Sequence, residues 1–160
     1  MSFFEDIKVG ERRDVGSFTF TTDGIKTFAA QFDPQRFHLD EEEGRKSLFG
    51  GLAASGWHVA SVCMKLLVAD GQRWAREAHA RGEEVGVWGP SPGFRDLRWI
   101  RPVLAGDTIS FASEVESSRA SSSRPEWGIV EVRLSGTNQQ GEPAFSMLST
   151  AFAPRRSKRA

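Results

Sequence analysis

From about Ser55 to Ala69 the chain is almost wholly apolar. Trp57, Val59, Ala60, Val62, Cys63, Met64, Leu66, Leu67 and Val68 fall on every side of a helix of that length. Such a helix has to be enclosed all round. A chain of 160 residues holds about one domain, so it can enclose the helix once. The rest of the sequence must therefore supply a wrapper.

The wrapper reads as a sheet. A Gly/Pro-rich stretch, Trp88 to Gly93, divides the chain, and period-2 patterns dominate after it. Val130, Val132 and Leu134 alternate with Glu131, Arg133 and Ser135. Ile109, Phe111 and Val115 share a face behind the turn Ala105-Gly106-Asp107. Ala144 to Phe152 is reached through a turn at Asn138 to Gly141, and Phe94 to Arg101 is stopped by Pro102. Successive strands joined by short turns favour antiparallel pairing. Val15–Thr21 and Gly82–Val87 are candidates for further strands. The first half is otherwise helical. Thr22-Asp23 caps a short helix through about Gln31, and Asp40 caps another through Lys46. The expected fold is α+β: one antiparallel sheet wrapped around a long buried central helix. The domain spans residues 1–154, and 155–160 form a basic, frayed tail.

Composition excludes several function classes. Lys+Arg and Asp+Glu are both 21, so the net charge is zero, and a nucleic-acid surface is not expected. One cysteine excludes an internal disulfide and a cysteine-based zinc site. The histidines at 38, 58 and 79 lack a zinc-ligand spacing, so no metal is expected. His79 lies in a charged stretch and is expected at the surface, while His58 is expected in the core or an interface. Gly51 to Gly56 imitates the start of a phosphate-binding loop, but Trp57-His58 stands where Lys-Ser/Thr is required. Ser55 lacks the flanking glycines of a nucleophile elbow. The start MSFFEDIKVG carries no signal-peptide pattern, and Leu48–Met64 is too short and too rich in Gly and Ser to span a bilayer. A cytoplasmic protein without a membrane partner is the expectation.

The chemistry-bearing stretch runs from Phe28 to Met64. Pro34 bars a continuous helix through Asp33, so Asp33 and His38 are expected on a loop after a short helix. A carboxylate beside an imidazole is a general acid/base pair. Ser55-Gly56 opens the apolar helix, whose first turn offers unpaired N–H groups and partial positive charge. Gly56 allows close approach of a ligand, and its N–H can hold charge developing on a carbonyl oxygen. That set suits addition of water to an α,β-unsaturated carbonyl. The same residues serve equally to brace a loop, with Ser55 as a helix N-cap, and spacing does not separate the two readings.

These stretches resemble the MaoC-like dehydratases, the (R)-specific enoyl-CoA hydratase family of the hot-dog fold. The family motif runs D-x-N-P-x-H-x-D, followed by a segment ending in His-Gly at the central helix. Here the first reads Asp33-Pro34-Gln35-Arg36-Phe37-His38-Leu39-Asp40, and the second reads Leu48-Phe49-Gly50-Gly51-Leu52-Ala53-Ala54-Ser55-Gly56. The likeness continues through Phe94–Val103, Ala105–Thr108 and Ser123-Arg124-Pro125. It implies that Asp33 and His38 activate water and that Gly56 N–H holds a thioester oxygen. It implies an acyl-CoA substrate, with coenzyme A part of that substrate and no separate cofactor, bound between the subunits of a homodimer or dimer of dimers. Ser55, Trp57, Gly93, Arg98, Arg101 and Arg124 are the substrate-binding candidates, the arginines for the phosphates. Two departures stand out. Gln35-Arg36 replaces Asn-Pro, and Ser55 replaces the His of His-Gly. A hot-dog thioesterase and a non-catalytic acyl-thioester-binding subunit are the alternatives.

Overall fold

The computed structural model describes residues 2–156. After a single 3-10 turn, Phe4–Asp6, come β1 (Arg12–Thr19), α1 (Thr22–Phe32), α2 (Arg36–Leu39), α3 (Glu41–Lys46) and α4 (Gly56–Ala80). Four strands follow: β2 (Gly93–Trp99), β3 (Thr108–Ala120), β4 (Trp127–Thr137) and β5 (Pro143–Pro154). The sheet order is β1-β3-β4-β5-β2, every neighbour antiparallel. This is the hot-dog arrangement, one α+β domain in which the sheet packs around α4. Gly82–Val87 forms no strand, contrary to expectation, and lies in the irregular connection from α4 to β2. That stretch carries Gly82 in the left-handed region and Glu83-Glu84, which suit a turn better than a ladder.

Local chemistry sets the helix ends. Thr21 caps α1 by accepting from Gly24 N–H. The Asp40 carboxylate accepts from the N–H groups of Glu42 and Glu43 and caps α3. Those bonds, Glu43 foremost, hold its carboxyl below the usual range.

The core joins α4 to the strands. Val59, Val62 and Cys63 pack with Ile109, Phe111, Leu134, Phe145 and Met147, and with Phe20 and Ile25. Burying each large side chain contributes about 1.5–3 kcal/mol. The helix is not enclosed on all sides, however. Trp57, Met64 and Val68 form a stripe along α4 that is 54%, 40% and 49% exposed. Among the described residues β2 has no strand partner on its outer edge, and Phe94 and Trp99 of β2 and the adjoining Ile100 are exposed.

The two ends of the domain are clasped. Arg155 pairs with Glu5 at 3.2 Å and Arg156 with Asp6 at 2.7 Å. Their guanidinium groups also lie over the rings of Phe4 and Phe3. These two residues of the basic end are thus held, and residues 157–160 lie outside the described residues. Among the described residues no helix is long and apolar enough to cross a membrane.

Candidate active site

The segment Leu52–Ser55 is the frame of the site. Ala53 N–H donates to Phe37 O, Ala54 N–H to Val103 O, and Ala105 N–H to Leu52 O. Stitched on both sides, this segment fixes where α4 begins. Gly44 lets α3 sit on it, because a Cβ there would meet Gly51 O at 2.6 Å and Leu52 N at 2.8 Å.

Asp33 is the C-cap of α1, where Pro34 ends the helix as expected. His38 is not on a loop; it sits in the one-turn helix α2, which restarts directly after Gln35. The turn brings the two side chains together, with His38 Nε2 at 3.5 Å from Asp33 Oδ2. His38 is only 5% exposed and is bordered by the rings of Phe37 and Phe49.

The hydrogen bonds define the protons. His38 Nδ1 lies 2.7 Å from Ala53 O. A carbonyl only accepts, so Nδ1 carries the hydrogen, and in the neutral ring Nε2 is left as an acceptor. Asp33 Oδ2 accepts the Ser55 hydroxyl at 2.6 Å, and Oδ1 accepts the Gln35 amide at 2.8 Å. Burial pushes the Asp33 carboxyl up, but the Ser55 and Gln35 donors and the neighbouring His38 outweigh it and hold it low. When the imidazole is neutral, the ionised Asp33 carboxylate and His38 Nε2 face each other as two acceptors. A water seated in the cleft against both atoms can donate one hydrogen to each.

Gly56 begins α4 with Ser55 as its N-cap, the Ser55 Oγ accepting from Trp57 N–H at 3.2 Å. Among the described residues Gly56 N–H donates to no protein acceptor. Asp33, His38, Gly56, Trp57 and Arg101 line one cleft of about 370 Å³, together with Gln35, Phe49, Trp99 and Ile100. The reason for glycine at 56 differs from the expected one. A Cβ there would meet the Trp99 indole at 2.5–2.9 Å, so the ring occupies the space expected for a ligand.

The remaining candidates fall elsewhere. Ser55 is 1% exposed and committed to Asp33 and Trp57, so it supports the site and does not face the cleft. Gly93 and Arg98 are exposed on β2 and are not among the cleft-lining residues. Arg124 lies in the β3–β4 turn with its guanidinium over the Phe152 ring. Arg101 reaches the cleft but bonds Glu142 and Pro143 O. Sequence reasoning did not single out Gln35, Phe49 or the Ala53 carbonyl. The amide of Gln35, inside the Asp-to-His loop, was the one local signal.

His58 is buried, as expected, and its ring stacks on Phe28 at 4.6 Å with Phe20 edge-on. Among the described residues its Nδ1 has no hydrogen-bond partner, and burial pushes its pKa down.

Comparison with known proteins agrees with this fold. Residues 6–136 match the family profile described as the MaoC like domain. The crystal structure of the MaoC-like dehydratase from Rhodospirillum rubrum superposes with a TM-score of 0.81 at 36% identity, covering 99% of this chain and 100% of that one. The uncharacterized protein YdeM of Bacillus subtilis is 29% identical over 141 residues, 88% of this chain and 91% of YdeM. A mesaconyl-CoA hydratase of Cereibacter sphaeroides is 36% identical over 64 residues, 40% of this chain but 18% of that protein. With the profile spanning most of the chain and the fold shared from end to end, this protein belongs to the MaoC-like dehydratase family.

Proposed function

We propose that this chain is a hydro-lyase that reversibly adds water across the double bond of a 2-enoyl-CoA to give a 3-hydroxyacyl-CoA. The observation that carries the reading is the facing pair of acceptors, His38 Nε2 and Asp33 Oδ2, in one cleft with the uncommitted Gly56 N–H. The 64-residue likeness to a mesaconyl-CoA hydratase supports the same class of reaction.

The chemistry follows from the donors and acceptors. The thioester oxygen accepts Gly56 N–H at the positive end of α4. A water held by Asp33 and His38 attacks the β-carbon, forming the C–O bond. The alkene electrons shift toward the carbonyl, and the charge on its oxygen rests on Gly56 N–H. Both Asp33 oxygens already accept a hydrogen bond, whereas His38 Nε2 does not. His38 therefore takes the water's proton and passes it to the α-carbon, while Asp33 steadies the transient imidazolium. H and OH have then been added, and the reverse path dehydrates.

A second copy of the chain belongs to this reading. Exposed Trp57, at the start of the α4 stripe, and exposed Trp99 and Ile100, at the end of β2, line the open cleft, and joining two copies there would complete its wall. Arg101, which lines the cleft, would be the cation for coenzyme A phosphates, exchanging Glu142 for a phosphate.

The test is loss of enoyl absorbance when the purified protein meets crotonyl-CoA and longer or branched 2-enoyl-CoAs. Asp33→Asn and His38→Ala are expected to lower kcat by about 10²–10⁴-fold. Wild-type rates in both variants would overturn the assignment of the pair. Release of free thiol without hydration would make the protein a thioesterase.

A further inference from the structure

Trp99 sits where the proposed acyl group must pass. β2 pairs regularly with β5 as far as Arg95↔Leu148, then slips, and resumes at Arg98↔Ser146 and Trp99↔Phe145. Within the slip Asp96 adopts φ 54°, a left-handed conformation uncommon for a residue with a side chain. Without the extra residue Arg98 would stand opposite Phe145, and the side chains would exchange faces. A bulge that re-aims one side chain is a feature found beside active sites. Here it turns a large indole toward the core side of the sheet. The ring stacks on buried Phe145 at 5.7 Å, meets Trp57 edge-on at 5.8 Å and lies against Gly56. Trp99 remains 45% exposed, on the cleft side.

We propose that Trp99 is a specificity-determining residue: its indole, seated on Gly56, forms the wall that limits the cleft to short acyl groups. The inference rests on the acyl-thioester reading above and deepens it. Phe145 backs the ring, Trp57 flanks it and the Gly56 backbone lies beneath it, so the ring cannot swing aside without losing those contacts. A longer chain extending from a thioester carbonyl at Gly56 N–H meets the ring. Shortening the side chain opens the volume between Gly56 and Phe145, a space lined by apolar groups.

The experiment measures binding apart from turnover. Butyryl-CoA and octanoyl-CoA, which have no double bond to hydrate, are titrated by calorimetry into wild type, Trp99→Phe and Trp99→Ala. Crotonyl-CoA hydration is assayed in parallel. The ratio Kd(octanoyl)/Kd(butyryl) is expected to fall about tenfold in Trp99→Ala, the scale on which pocket size discriminates apolar groups. Trp99→Phe keeps the stack on Phe145 and is expected to fall between; it carries the test if the alanine variant does not fold. An unchanged ratio, or binding of neither thioester by wild type, overturns the inference. A shifted ratio without hydration supports the wall and overturns the hydro-lyase reading. Hydration with an unshifted ratio does the reverse.

Discussion

Replacing Ser55 by alanine separates the two bonds made by one hydroxyl. Its O–H donates to Asp33 Oδ2 at 2.6 Å and its oxygen accepts from Trp57 N–H at 3.2 Å. A hydrogen bond to a charged group contributes about 1.5–3 kcal/mol, and a helix N-cap about 1 kcal/mol. Ser55→Ala is therefore expected to cost about 2.5–4 kcal/mol at pH 7. The two parts differ in pH dependence. Asp33 is held below its ordinary range in the folded state, so its contribution is fully present above the unfolded carboxylate pKa, about 3.9. It is lost as pH falls through the lower folded value. The cap does not titrate. The gap between wild type and variant should thus shrink toward about 1 kcal/mol in acid. Urea unfolding at both pH values measures the gap, and NMR titration of the Asp33 carboxyl carbon should show its pKa rising in the variant. Ser55→Thr should restore both. An equal gap at both pH values, with an unmoved Asp33 titration, would show that Ser55 is a cap alone.

Two further perturbations test the packing around the site. Gly56→Ala puts a methyl into the Trp99 ring and should cost about 1–3 kcal/mol, as overpacking does; the cost should drop in a Trp99→Ala background, and additive losses in the four-member cycle would refute the contact. His58 carries a pKa depressed by burial, so its contribution is intact above the unfolded value, about 6.5, and is lost as pH falls toward the folded one, by at most about 1.4 kcal/mol per pH unit. His58→Leu should remove that acid-side loss, and parallel stability curves for the two proteins between pH 7 and 5 would exclude it.

What could be read before folding was what neighbours in sequence decide. Alternation gave β3, β4 and β5, caps gave α1 and α3, and Pro34 gave the break that sets Asp33 close to His38, because each depends on a few adjacent residues. What escaped depended on contacts across the chain. The Ser55–Asp33 bond joins residues 22 apart, and the Ala53 carbonyl that fixes the His38 tautomer is 15 residues away. Ser55 looked like a lost histidine, yet its shorter side chain still delivers a donor to Asp33. Glycine at 56 looked like room for a ligand, and no local rule links it to an indole at the far end of β2.

The apolar helix is the instructive case. A helix apolar on all faces needs apolar surroundings on all faces. Here the sheet covers Val59, Val62 and Cys63, while Trp57, Met64 and Val68 lie open on the other side. The sequence rule and the single chain disagree only if the chain is the whole assembly. A second copy laid against that stripe, next to the unpaired edge of β2, removes the disagreement. Trp57 belongs both to that stripe and to the lining of the cleft that holds Asp33, His38 and Gly56, so a copy that covers the stripe would also reach the cleft.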